Sequence, residues 1–169
     1  GYAPESWDAL IKFAREQGIK EEILNGAGLV NASDRGGHYD RFRDRVMFPI
    51  QNISGNVVAF GGRKLSDDPQ SPKYVNSPET DIYHKSNVLY GLHLGREAIR
   101  ERDRVIVVEG YTDVMRLSLA GVKNVVSTSG TALTDLQARL IRRYTQNATL
   151  LFDSDTAGTK ATLRGADIL

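Results

Sequence analysis

Apolar and polar positions change rhythm along the chain. Trp7, Leu10, Ile11 and Ala14 recur at i, i+3, i+4 and i+7, the stripe of an amphipathic helix, with Gly18 placed to end it. This first helix is read as packing. A shorter helical stretch from Lys20 to Asn25 runs into Gly26 and Gly28, and the polar Asn31 to Asp40 segment, with its Gly36-Gly37 pair, reads as an exposed loop. The period then changes. Val46 to Ile50 and Val57 to Phe60 read as strands flanking a Ser54-Gly55-Asn56 turn, a hairpin in which Pro49 needs an edge or a bulge. From Lys64 to Asn87 the pattern is that of a loop, long enough to carry function, with Tyr74, Val75, Ile82 and Tyr83 as its means of packing down. A helix is expected over Leu89 to Arg100. The charged run Glu101 to Arg104 is taken as the boundary between two subdomains, 1–103 and 104–169.

Beyond that boundary the elements alternate. A strand over Arg104 to Glu109 leads to a helix over Asp113 to Ala120 closed by Gly121, and a strand over Val125 to Thr128 leads to a helix over Asp135 to Tyr144. A third strand, Thr149 to Phe152, precedes a helix from Thr156 to Leu169. Thr134 with Gln137 three residues on forms a capping box at the start of the second of these helices. Unbroken apolar runs suit strands buried on both faces, and the alternation implies right-handed βαβ units in a parallel sheet. The expected class is α/β: a mixed α+β N-terminal subdomain followed by a Rossmann-like βαβαβα subdomain. The chain stops where another strand is expected.

Two of those strands end on acidic residues, RVIVVEGYTD and LLFDSD. Open α/β sheets carry ligands beyond the carboxyl ends of their strands. If the two strands are neighbours, Glu109, Asp153 and Asp155 converge, and three carboxylates in one small volume call for a cation. A Mg²⁺ site follows, with Asp113 either supporting it or serving as a favourable charge at a helix start. The bland interpretation is that Asp155 or Thr156 caps the last helix, and that Glu109-Gly110 is a strand end with a turn glycine.

Composition narrows the rest. The 169 residues are 40% hydrophobic, enough for a core, and no apolar run of bilayer length or secretion signal is seen. Without cysteine there is no disulfide and no thiolate zinc site, and His38, His84 and His93 are scattered, so an intracellular setting fits. Gly1 in place of methionine fits a piece of something longer. A net charge of +1 gives no global field for nucleic acid, so any basic surface is local. Arg41, Arg43 and Arg45 alternate, as on one face of a strand, and Arg63, Lys64, Lys73 and Lys85 follow. By count alone these are a solvated face paired with Asp40 and Asp44; beside a carboxylate metal site they become phosphate holders.

VVEGYTDVMRL, STSGTALT and LLFDSDTAG resemble a TOPRIM domain, the acidic metal-binding module of bacterial primases, topoisomerases and some nucleases. GYAPESWDAL, YDRFRDRVMFPI, FGGRKL and SPKYVNSPETDIYHKSNVLYGL extend the match over the whole chain and narrow it to the catalytic core of DnaG-type DNA primases. The resemblance implies an RNA polymerase that copies single-stranded DNA into short primers from nucleoside triphosphates. It implies Mg²⁺ or Mn²⁺ at Glu109, Asp113, Asp153 and Asp155, with Glu109 as ligand or general base. It further implies nucleotide and template contacts from Arg41, Arg43, Arg63, Lys73, Asn76 and Lys85, with Tyr74 near a base. A bacterial cytoplasmic protein at the replication fork is implied, meeting the replicative helicase through regions outside this chain and no membrane. The family's zinc ribbon and a further downstream acidic pair are absent here, so weak metal binding, little activity alone and an open sheet edge are expected. Two other classes remain: a non-catalytic TOPRIM DNA-binding protein, and a topoisomerase or nuclease fragment.

Overall fold

Val105, Val107 and Val108 of the first strand of the parallel half are buried and Ile106 is partly so, packed against a small cluster, which explains why all four positions are apolar. The computed structural model describes every residue except Arg35, and for Ala157 the backbone only. It divides into two compact units, Gly1–Ile50 with Val57–Tyr83, and Gln51–Asn56 with His84–Leu169.

In the first unit the order is β1 (Tyr2–Ala3), α1 (Ala9–Glu16), α2 (Glu21–Gly26), β2 (Val30–Ala32), β3 (His38–Asp40), β4 (Arg45–Gln51, whose last residue lies in the second unit), β5 (Val57–Lys64) and β6 (Tyr74–Asn76). Strands β1, β4, β5 and β6 are neighbours in that order, and β2 pairs antiparallel with β3. Ile11, Ala14, Leu24 and Val30 make a small core against which Leu10 and Leu29 pack. The segment expected to be an exposed loop is thus a short hairpin, with Arg35 outside the described residues. Its strands have three residues each, too few for an alternating pattern to register. Helix α1 is capped from a distance: Asp40 of β3 is buried and accepts from Leu10 N at 2.7 Å and Ile11 N at 3.2 Å.

Pro49 sits inside a strand. Met47 N donates to Gly1 O, and residues two apart aim their amides to the same side, so Pro49 N is on the side of β4 toward β1 and away from β5. The stretch 64–87 is not all loop. Strand β6 pairs antiparallel with the end of β5 in the register Gly61↔Asn76, Gly62↔Val75 and Arg63↔Tyr74.

The second unit begins, after the turn 51–56, with a 3₁₀ turn at Lys85–Asn87 and continues α3 (Leu92–Arg102), β7 (Val105–Val108), α4 (Tyr111–Leu119), β8 (Val125–Ser127), α5 (Asp135–Arg142), β9 (Ala148–Leu150) and α6 (Thr156–Ile168). Both β8 and β9 run parallel to β7, in the order β8-β7-β9. The class is therefore as expected: an α+β region followed by a parallel α/β sheet. The core gathers Leu89, Leu92, Ile99, Val105, Val107, Val126, Leu133 and Ile141. Thr134 caps α5 reciprocally with Gln137, and the buried Gln137 amide also donates to Lys85 O and Val88 O, so one side chain fixes both the helix start and the incoming loop. Among the described residues no helix is long and apolar enough to cross a membrane.

Candidate active site

The central position of β7 makes it the neighbour of β9, so residues just past both strands share one rim. Glu109 follows β7 directly. Its carbonyl is fixed from β8 by Ser127 Oγ at 2.7 Å and by Gly130 N at 3.2 Å, and its carboxylate Oε1 accepts from Asp153 N at 2.9 Å, beyond β9. The side chain of Glu109 thus ties the two strand ends together.

The remaining carboxylates are held by short local bonds. Asp113, in the first turn of α4, accepts from Gly110 N at 3.0 Å through Oδ2. Asp155 caps α6, accepting from Gly158 N at 2.7 Å through Oδ1. Capping therefore operates at both positions, and it occupies one oxygen of each carboxylate while the other takes no partner among the described residues. Asp153 is exposed.

Gly158 is what allows α6 to start here. A Cβ at this position would stand 2.0 Å from Asp153 O and 3.0 Å from Glu109 Oε1, so only glycine lets the first turn of the helix close over the link between Glu109 and Asp153. On one side of Glu109 lies a cleft of about 290 Å³ shared with Asp113, Asp153 and Arg116, floored by Leu117, Leu151 and Phe152. On the other side a cleft of about 370 Å³ is lined by Thr128, Thr131, Lys160 and Arg164.

The chemistry of the first cleft suits a hard divalent cation: three carboxylates around one opening, with no softer donor among its lining residues. Among the described residues no three acidic or histidine side chains are gathered tightly enough to ligate one ion. The link between Glu109 and Asp153 runs through a backbone amide, and Asp113 and Asp155 are turned toward their helix starts.

The arginine series behaves differently from the expectation of one strand face. Asp44 adopts φ +49°, a left-handed turn between Arg43 and Arg45, and β4 begins only at Arg45, so the alternation of a strand does not run through the three. Arg41 is half-buried, donating to Asn76 O from Nε at 3.1 Å and Nη2 at 2.9 Å and to Asn31 Oδ1 from Nη1. Burial lowers its pKa from the ordinary arginine value. Arg45 is buried. Arg43 lies over the Trp7 ring, its guanidinium carbon 3.8 Å from the ring centre and 5.3 Å from that of Tyr39, while Nη1 donates to Asp40 O at 2.6 Å. Trp7 and Tyr39 meet edge to face at 5.5 Å.

Arg63 and Lys73 are exposed on the paired ends of β5 and β6, where Lys64 N donates to Lys73 O at 3.0 Å, and Tyr74 beside them is partly exposed. Lys85 belongs to the second unit, on the 3₁₀ turn. Trp7 is the residue the periodicity misplaced. It is 62% exposed and precedes α1, carrying an arginine on its face, where the stripe had assigned it to packing. The available signal was Asp8 directly after it, a capping residue type that starts the helix and leaves Trp7 outside.

Comparison with known proteins places the chain in a family. Residues 1–96 match the family described as DNA primase catalytic core, N-terminal domain, and residues 106–169 match the Toprim-like family. The DNA primase of Halalkalibacterium halodurans is 46% identical over the whole chain, which spans 28% of that protein's length. A solved DNA primase domain from Pseudomonas aeruginosa superposes with a TM-score of 0.90 at 44% identity, covering 99% of this chain and 52% of that one. The DnaG primase catalytic domain bound to ssDNA gives 0.86 at 43% identity, covering 99% of this chain and 54% of that one. With both halves matched in order, and with the acidic rim and paired basic strands described above, the chain belongs to the DnaG-type DNA primase catalytic-core family.

Proposed function

We propose that this chain works within the catalytic core of a primase, joining ribonucleotides on a single-stranded DNA template to make RNA primers in the bacterial cytoplasm. The observation that carries the proposal is the bond from Asp153 N to Glu109 Oε1 across neighbouring parallel strand ends, beside Asp113 in one cleft. Residues 104–169 are the metal-binding part in this proposal and residues 1–103 handle nucleotide and template. Contact with the replicative helicase falls to the rest of the parent protein.

Glu109, Asp113, Asp153 and Asp155 are the side chains that would hold Mg²⁺ or Mn²⁺. When bound, such an ion neutralises charge on the reacting phosphate and activates the attacking hydroxyl. The chain's own part is to keep these carboxylates in reach: Ser127 fixes the Glu109 backbone, and the amides of Gly110 and Gly158 each hold one carboxylate oxygen of Asp113 and Asp155, so little entropy is lost when a ligand arrives. Of the two roles open to Glu109, ligand is favoured, because Oε1 already holds the Asp153 amide and fixes the carboxylate as part of the rim.

Arg63 and Lys73 present charge to phosphates from the paired strands β5 and β6. Asn76 in the first unit and, separately, Lys85 in the second are further proposed nucleotide or template contacts, and Arg41 contributes from behind Asn76, which its guanidinium holds. The Trp7 face with Arg43 and Tyr39 fits a single strand, whose bases stack on aromatic rings and guanidinium planes.

The test is primer synthesis by the full-length parent protein from ribonucleoside triphosphates on single-stranded DNA. Nicking of the DNA instead points to a nuclease or topoisomerase, and binding without turnover to a non-catalytic TOPRIM protein; either result rejects the proposal. Lys73→Ala in that protein should raise the nucleotide KM about tenfold and flatten the salt dependence of template binding by about one unit of slope. Trp7→Ala should weaken single-strand affinity about tenfold while leaving the nucleotide KM near wild type, measured by fluorescence anisotropy of a labelled oligonucleotide. Equal affinity would return Trp7 to a packing role.

A further inference from the structure

Arg45 is a buried residue, 5% exposed, and among the described residues it makes no ion pair. Its hydrogen bonds go to neutral acceptors: Nη1 donates to Gly62 O at 3.2 Å and to Pro72 O at 3.0 Å, and Nη2 to Ser71 Oγ at 3.0 Å. Burial and then the neighbouring Arg43 push its pKa below the ordinary value, and the Asp44 carboxylate offsets only part of that. Taking an arginine out of water without a carboxylate is unfavourable, and an unbranched apolar side chain would fill the same space without that penalty. What the arginine adds over such a side chain is its hold on three acceptors, two of them on the segment before β6.

The path of the side chain is built for it. A Cβ at Gly62 would stand 2.9 Å from Arg45 Cδ and 2.9 Å from Phe42 Cδ1, so the glycine keeps open the channel through which Arg45 crosses beneath β5. Its far end grips Ser71 and Pro72, the two residues that lead into Lys73. Four residues earlier in the chain, Arg41 grips the other end of the same short strand through Asn76 O. Three residue pairs set the register of β6 on β5, with Lys64 N donating to Lys73 O at 3.0 Å and Ser77 N to Phe60 O at 2.8 Å on either side. Strand β6 has no strand on its other edge among the described residues, so the two bracketing arginines add side-chain ties at both ends of a short edge strand.

We infer that Arg45 is a positioning residue: it fixes the lead-in to β6, and through it the place of Lys73, while never touching substrate itself. The inference rests on the reading of Lys73 as a phosphate-handling residue. Lys73 precedes β6 and is tied to β5 through its carbonyl alone, so the hold of Arg45 on Ser71 and Pro72 limits how far the segment before that tie can swing, and displacement of a binding group by an ångström weakens what it holds.

The experiment compares Arg45→Met, Lys73→Ala and the double variant in the full-length parent protein, by thermal unfolding, amide hydrogen exchange over residues 71–76, and nucleotide KM and kcat. Arg45→Met is expected to fold, to exchange at least about tenfold faster over those amides, and to raise KM about tenfold with a smaller change in kcat. Added to Lys73→Ala it should raise KM no further, because both act through one ammonium group. Wild-type exchange over 71–76, or KM effects that multiply, would overturn the inference. If Arg45→Met does not fold, Arg45→Lys keeps the charge with fewer donors and should show the same changes in smaller measure; unchanged exchange in that variant is equally fatal. If Lys73→Ala alone leaves KM untouched, the phosphate reading of Lys73 fails by itself, and exchange over 71–76 decides whether Arg45 holds the strand.

Discussion

Glu109→Gln in the full-length parent protein is expected to keep its fold and to lose primer synthesis by at least about a thousandfold, equivalent to roughly 4 kcal/mol of transition-state stabilisation. The substitution separates two things the carboxylate does. The glutamine carbonyl still accepts from Asp153 N, so the tie between the ends of β7 and β9 remains. The negative charge disappears, and with it the strongest oxygen donor shared by the two clefts at the strand ends. Incorporation of labelled ribonucleotides on single-stranded DNA, with thermal unfolding alongside, reads both. Synthesis within about tenfold of wild type at an unchanged melting temperature would remove Glu109 from the chemistry and leave it a structural tie.

Gly158→Ala is expected to destabilise the chain by about 3 kcal/mol, against the usual direction for a helix. In an ordinary helix interior, alanine is favoured over glycine by about 1 kcal/mol. Here the added methyl would meet Asp153 O at 2.0 Å, a backbone atom that cannot rotate away, and Glu109 Oε1 at 3.0 Å. Relief requires moving either the first turn of α6 or the segment after β9, and each movement pulls Asp153 N from Glu109. Denaturant unfolding of the chain gives the sign directly, and a gain in stability would refute the packing argument. In the parent protein the same substitution should reduce synthesis far more than it reduces stability, because the disturbed atoms are those of the acidic rim.

The parallel half was legible because its pattern is one that few other structures produce. Val105 to Val108 carries no polar residue, Thr134 and Gln137 sit at capping spacing, and strands alternate with helices, so order, direction and approximate bounds follow. What escaped depended on atoms far apart in sequence. The cap of α1 comes from Asp40, and the strand at Tyr74–Asn76 exists because β5 continues to Lys64 and offers it an edge. The three alternating arginines looked like one basic face. A single left-handed residue, Asp44, separates them into an inward pair and a stacked one, and no property of the string DRFRDR announces that. The carboxylates were readable as strand ends; the bonds by which Asp113 and Asp155 also serve their helices were visible only as an alternative.

Trp7 is the chain's single tryptophan, and it is solvent-accessible with a guanidinium on its face. Light absorbed near the red edge of the protein's ultraviolet band is therefore emitted from one spot, so an unlabelled sample carries its own optical reporter there. Its colour and lifetime would track whatever displaces water from that indole.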